Sequence, residues 1–280
     1  MAYTVRVVDV SKVWQSRRPD DHVVALDGVS HEFRAGRVTS LLGPSGCGKS
    51  TLLQIIRGLE QPTRGRVEYV SDSGQHGTPR MATVWQSFNL FPWRTVEDNV
   101  AIGLEFAGVP TDERRARARA LIREVGLTGF ERKYPRQLSG GMKQRVGLAR
   151  ALMLDPDILL MDEPFGALDA QTRTIMQEQV VRIFETTRKT VVFVTHDINE
   201  AILMADEVVV MSARPGRVKE VIPVTLPRPR TLDEVHSSAF GELFNRIYSL
   251  IKVEVSQLMQ LEHDLVAREA EYGPAGRSAI

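Results

Sequence analysis

A chain of 280 residues, 42% hydrophobic and 25% charged, has the composition of a globular protein with a sizeable core. Its formal net charge of +1 excludes a general electrostatic pull toward nucleic acid or an anionic membrane surface. No apolar run approaches the roughly 18 residues needed to cross a bilayer. The single cysteine, Cys47, has no partner for an internal disulfide. The first residues, MAYTVRVVDVSKVW, lack the basic start and apolar run of a secretion signal. With the lone thiol, this points to a reducing compartment.

In chain order, residues 3–34 alternate in polarity over 3–10 and 23–33, which predicts a small antiparallel sheet. VTSLL (38–42) is a continuous apolar run, the pattern of a strand buried on both faces of a parallel sheet, and GPSGCGKST (43–51) follows it at once. Residues 66–86 predict a hairpin with a polar tip, SDSGQHGTPR (71–80). From 96 to 154 the pattern turns helical, with breaks at 108–110, 126–129 and Pro135. This reads as a helical subdomain, about 87–155, inserted in the sheet core. Two further buried-strand runs, 158–161 and 191–194, end at Asp162–Glu163 and His196. Open parallel sheets bind ligands beyond the carboxyl ends of their strands, so three strand ends are expected to meet at one ligand edge.

After Pro215 the composition changes. VTLPRPRTLDE (224–234) reads as a linker, and Phe240, Leu243, Phe244, Ile247, Leu250, Ile251, Val255 and Leu258 recur at helical spacing. The expected division is a catalytic domain over 1–215 and a tail over 216–280, ending in a disordered GPAGRSAI. The stripe at 240–261 is expected to pack on its own domain or on a second copy, with binding to a membrane or a partner helix as the alternative. The arginine-rich stretch 112–126 is expected to be a solvated helix face and not a nucleic-acid patch.

GPSGCGKST fits G-x-x-x-x-G-K-[ST]. Glycines let the backbone of Gly43, Pro44, Ser45, Gly46, Cys47 and Gly48 curl so that successive N–H groups face a polyphosphate, and the helix from about Gly48 to Arg57 adds its positive end. Lys49 is expected to reach the β- and γ-phosphates, the Ser50 hydroxyl to ligate Mg²⁺, and Thr51 to complete the cradle. Cys47 is expected to be either a small filler or a thiol activated by the helix terminus, in which case alkylation would inhibit and nucleotide would protect.

ILLMDEP (158–164) ends a buried strand with adjacent carboxylates. Their mutual repulsion needs a cation or a water-handling role to offset it. Asp162 is expected to hold Mg²⁺, and Glu163 to orient or deprotonate the attacking water. His196, at the end of the next buried strand, is expected to sense the γ-phosphate and hold that water.

LSGGMKQR (138–145) narrows the reading. The order phosphate loop, Gln86, LSGG, ILLMDEP, ALD, His196 resembles that of ABC-transporter ATPases over roughly residues 3–215. PFGALDAQTR (164–173), FPWRTVEDNV (91–100) and LPRPR look like the nitrate/sulfonate/taurine importer subgroup.

The resemblance implies a P-loop NTPase (RecA-like) α/β fold: a mainly parallel sheet core with an N-terminal antiparallel subdomain, an inserted helical subdomain and a C-terminal helical tail. It implies ATP and Mg²⁺ as ligands, sandwiched between two head-to-tail subunits, with Ser139, Gly140 and Gly141 meeting the γ-phosphate held by the opposite subunit. By the same resemblance Gln86 meets Mg²⁺ and water, Asp169 crosses the dimer interface, and Trp14 stacks on adenine.

The expected function is the ATP-hydrolysing, energy-coupling subunit of an importer. It would act as a dimer on the cytoplasmic face of the inner membrane, with a multi-span permease and, indirectly, an extracytoplasmic substrate-binding protein. The cargo would be a small anion or an organosulfur or nitrogen compound. The alternatives are an exporter or lipid-trafficking ATPase, or a soluble relative acting on DNA or ribosomes. Against the soluble relatives stand the lack of sustained heptads and the single copy of each motif.

Overall fold

Runs of β-branched residues with period two build the first sheet. In the computed structural model, which describes residues 2–15, 22–166, 168–187 and 189–271, β1 (Tyr3–Gln15) and β2 (His22–Phe33) pair antiparallel. The third strand of that sheet is β4 (Arg64–Ser71), also antiparallel to β1. Between them in sequence lie β3 (Val38–Leu42) and α1 (Lys49–Arg57). The side chains of 185–188, Leu232 and 261–271 lie outside the described set, as does the segment 273–280, expected to be disordered.

The main sheet has six strands in the order β5-β6-β7-β3-β8-β9. Its members beyond β3 are β5 (Met81–Val84), β6 (Ile158–Asp162), β7 (Thr190–Thr195), β8 (Glu207–Met211) and β9 (Val218–Pro223). The first five are parallel, and β9 closes the edge antiparallel to β8.

The predicted 66–86 hairpin does not form. β4 pairs with β1 in one sheet and β5 with β6 in the other, and 72–80 crosses between the sheets. Both segments find long partners elsewhere, leaving their shared turn a single isolated bridge, Val70 to His76. Nor does the sheet stop at residue 215, because β9 extends it before the proline-rich stretch begins.

Between β5 and β6 stand α2 (Val96–Phe106), α3 (Thr111–Glu124) and α4 (Gly140–Leu152), all within 87–155. Thr95 caps α2 by accepting the Asp98 N–H. The arginines of α3 form a solvated, ion-paired face: Arg117 meets Glu113 one turn away, and Arg119 reaches Glu97. Ala118 and Ile122 turn inward.

The chain continues with α5 (Ala170–Thr187), α6 (Ile198–Met204) and α7 (Ser238–Glu271).

The alternation of side chains across the pleat explains why the sheet strands are apolar throughout. Ile158 and Leu160 join a core with α1 and the antiparallel sheet, whereas Leu159 and Met161 join the core under α2–α5. Val208 and Val210 face a third cluster formed with α6 and α7. There Phe240 and Ile247 are buried and Leu243, Phe244, Leu250 and Ile251 are half-covered, so the C-terminal apolar stripe packs on its own chain.

Candidate functional site at the carboxyl edge of the parallel sheet

Five parallel strands end on one edge, and each delivers a polar group. In spatial order these are Gln86 after β5, Asp162 and Glu163 at β6, His196 after β7, the 43–51 loop after β3, and Arg214 after β8. A cleft of about 250 Å³ opens there, lined by Trp14, Val23, Ala25, Ser45, Gly46, Gly48, Lys49, Ser50, Thr51, Glu163 and Arg214.

The loop is built to its glycines. Gly48 precedes α1 with φ +95°, and a Cβ there would lie 2.7 Å from the Ala25 carbonyl oxygen, so neither the conformation nor the space admits a side chain. Lys49 is only 5% exposed. Its ammonium donates to the carbonyls of Gly43 (2.7 Å) and Pro44 (2.8 Å), which ties it across the loop.

Cys47 is a filler. Its Sγ lies under Gly43, the side chain is 1% exposed, and burial pushes its pKa up against the opposing pull of Lys49. The expected activation by the helix terminus is outweighed by desolvation, which corrects the reactive-thiol alternative.

The Ser50 hydroxyl donates to Asp162 Oδ1 at 3.0 Å. Burial raises the Asp162 pKa; the Ser50 hydrogen bond opposes this, the Glu163 charge adds to it, and Lys49 opposes it. The Ser50 hydroxyl and the Asp162 carboxylate form a hard oxygen-donor pair suited to Mg²⁺, and a bound cation would offset the burial that disfavours the Asp162 anion.

Glu163 has φ +44°, a conformation a non-glycine residue holds only when its surroundings dictate it. Its N–H donates to Val194 on β7 (3.0 Å), and its carbonyl accepts from Gly166 (3.1 Å). The turn aims the side chain back at the edge. There Oε2 accepts from Gln86 Nε2 (3.1 Å) and lies 3.5 Å from His196 Nδ1.

Trp14, 39% exposed, forms the far wall, with Lys12 Nζ 4.3 Å from its ring centroid.

The remaining predicted residues do not line this cleft. Ser139 is exposed at the N-cap of α4 and accepts the Met142 N–H at 3.3 Å. Gly140 and Gly141 open that helix, and Gly141 lies against Thr172 so closely that a Cβ would come within 2.1 Å of its methyl. Asp169 is exposed at the start of α5. It accepts from Thr172 N–H at 3.0 Å, and that bond lowers its pKa.

Arg214 was absent from the sequence expectations. The signal was a fourth continuous apolar run, VVVM (208–211), followed by SARPG at the same edge.

The family model described as ABC transporter matches residues 26–166. The taurine import ATP-binding protein TauB of Rhizobium johnstonii is 50% identical over 75% of this chain and 80% of its own length. The aliphatic sulfonates import ATP-binding protein SsuB of Bacillus cereus is 40% identical over 87% of this chain and 94% of its own. A solved dimeric ATP-binding cassette in a post-hydrolysis state, bound to ADP and Pi, superposes with a TM-score of 0.69 at 33% identity, covering 80% of this chain and all of that one. Matches of this extent, on a sheet edge carrying a phosphate loop and a Ser50–Asp162 pair, place the chain in the ABC transporter family as an ATP-binding subunit and an ATPase.

Proposed function

We propose that this ATPase is the energy-coupling subunit of an ABC importer. It would act as a head-to-tail dimer on the cytoplasmic face of the membrane, serving a multi-span permease and, through it, an extracytoplasmic binding protein. The observation that carries the catalytic reading is Glu163 held between Gln86 and His196 beside the Ser50–Asp162 pair. The importer reading is supported by the names of relatives at 40% and 50% identity, and those names favour a small anion or organosulfur compound as cargo.

In this reading the 43–51 backbone and Lys49 bind the phosphates. Ser50, Gln86 and Asp162 would hold Mg²⁺, which would supply neutralisation of the charge that develops on the phosphoryl oxygens. Glu163 takes the proton of the attacking water, with Gln86 and His196 fixing where that water sits. Trp14 stacks its open face on adenine.

Ser139, Gly140, Gly141 and Asp169 lie off the cleft of their own chain, which fits a role on the partner's nucleotide. Closure would then add donors around the γ-phosphate, so ATP favours the closed pair and hydrolysis releases it. Among the described residues no helix is long and apolar enough to cross a membrane. In this reading a permease docks on the helical region 87–155.

The test is a pull-down of Glu163→Gln with Mg-ATP from solubilised native membranes. Recovery of a multi-span permease supports the proposal. Recovery of soluble partners alone overturns the importer reading and leaves the ATPase chemistry standing.

A further inference from the structure

The loop after β8 presents a cation to the nucleotide cleft. Arg214 lines the cleft, and its Nη2 lies 3.5 Å from where a Cβ on Gly46 would sit. It is exposed, and among the described residues it enters no hydrogen bond or ion pair. A guanidinium offers five donors in a fixed fork that suits phosphate oxygens.

Both flanks of Arg214 are fixed. On one side, Gly216 donates to Ala25 (3.0 Å) and accepts from Asp27 N–H (3.0 Å). It approaches the phosphate loop so closely that a Cβ would lie 2.0 Å from the Cys47 carbonyl oxygen. On the other side, the Ala213 N–H donates to Glu254 Oε2 of α7 at 2.7 Å. Glu254 is 5% exposed, and its other oxygen takes the Lys219 ammonium. A carboxylate buried this deeply is costly unless it is paired; here Lys219 supplies the counter-charge and the second oxygen is spent on the backbone next to Arg214.

We propose that Arg214 is a nucleotide ligand, donating to the phosphates of a nucleoside polyphosphate seated in the 43–51 loop, and that the C-terminal helix holds it in place through Glu254. The inference rests on the phosphate-loop placement above and extends it: α7 becomes part of the nucleotide site. By linkage, undocking α7 weakens nucleotide binding, and bound nucleotide secures α7.

The test is calorimetric titration of the full chain with Mg-ADP. Arg214→Ala is expected to raise Kd about tenfold, the scale of one charge-assisted hydrogen bond at a cleft rim, and Arg214→Lys to recover part of it. Lys49→Ala is the reference. If it loses affinity while Arg214→Ala does not, this inference fails and the phosphate-loop reading stands. If Lys49→Ala also binds normally, that reading falls too.

Glu254→Ala is expected to match the Arg214→Ala loss, Glu254→Gln to restore binding, and Glu254→Ala to add nothing in the Arg214→Ala background. Independent, additive losses would overturn the positioning role. Should Glu254→Ala not fold, Glu254→Met keeps the volume while removing the acceptor of the Ala213 N–H, and gives the same comparison.

Discussion

Glu163 points one oxygen, Oε2, at two neighbours from different strands, and its φ of +44° is what allows this. Replacing it by glutamine keeps the shape and removes the base. Glu163→Gln is expected to bind Mg-ATP but to turn over at least about 100-fold more slowly, the usual contribution of a positioned general base. Steady-state phosphate release measures this, and a rate near wild type would remove Glu163 from the role. Lys49→Ala has a different signature. The ammonium that bridges Gly43 and Pro44 is also the one that would meet the phosphates, so fluorescent-ATP titration should show most affinity lost. Undiminished binding would contradict the phosphate-loop assignment. At this scale the sequence was informative wherever spacing along one segment defines the chemistry, as in 43–51 and 162–163. It was silent where partners come from distant segments. Nothing adjacent to Cys47 announces that it is 1% exposed, and nothing near Arg214 announces Glu254, forty residues on in a helix of its own.

Among the elements, α6 carries an acid that the proposed nucleotide chemistry does not use. Glu200 is buried, with Oε2 accepting from Thr195 Oγ1 (2.5 Å) and Oε1 from Gln177 Nε2 (3.0 Å). Burial pushes its pKa above the ordinary 4.5; the Thr195 bond opposes this, the Asp197 charge adds to it, and Gln177 and Arg173 oppose it. The protonated form is therefore favoured by folding. Its stabilisation is complete below the unfolded-state value and is lost as pH rises through the higher folded value, because the folded chain then binds more protons than the unfolded one. Glutamine mimics the protonated acid, and its amide oxygen can still accept from Gln177. Glu200→Gln is thus expected to raise Tm at pH 7–8, leave it nearly unchanged near pH 4, and flatten the slope between. A thermal melt series across that range checks this; an equal shift at every pH would refute the titration account. Elements were legible where they are self-consistent over their own length, as with the buried strands and the helical stretch. The failed hairpin at 66–86 is instructive because β4 and β5 have good strand sequences but pair in different sheets, and local pattern carries no information about partners that distant.

For the whole molecule, the decisive fact is that four of the expected nucleotide contacts, Ser139, Gly140, Gly141 and Asp169, lie away from the cleft. Ser139 sits exposed at the start of α4, and Asp169 is exposed at the start of α5. A single copy can thus use its phosphate loop without using its LSGG segment, whereas the proposed head-to-tail pair would use both. Oligomerisation and nucleotide binding should then separate by mutation. In the Glu163→Gln background, Mg-ATP is expected to shift the chain from monomer to dimer by light scattering, since the hydrolysis that would reopen the pair is blocked. Adding Ser139→Phe places a bulky group where the partner's γ-phosphate would dock, and should abolish the shift while ATP titration of the monomer stays within about twofold, because Ser139 lines no part of its own cleft. If the double variant still dimerises, or loses monomeric binding along with the dimer, the sandwich arrangement is wrong and the LSGG segment acts within its own chain. The sheet edge would then be a complete site in one copy, and coupling to a permease would have to come from the helical region alone.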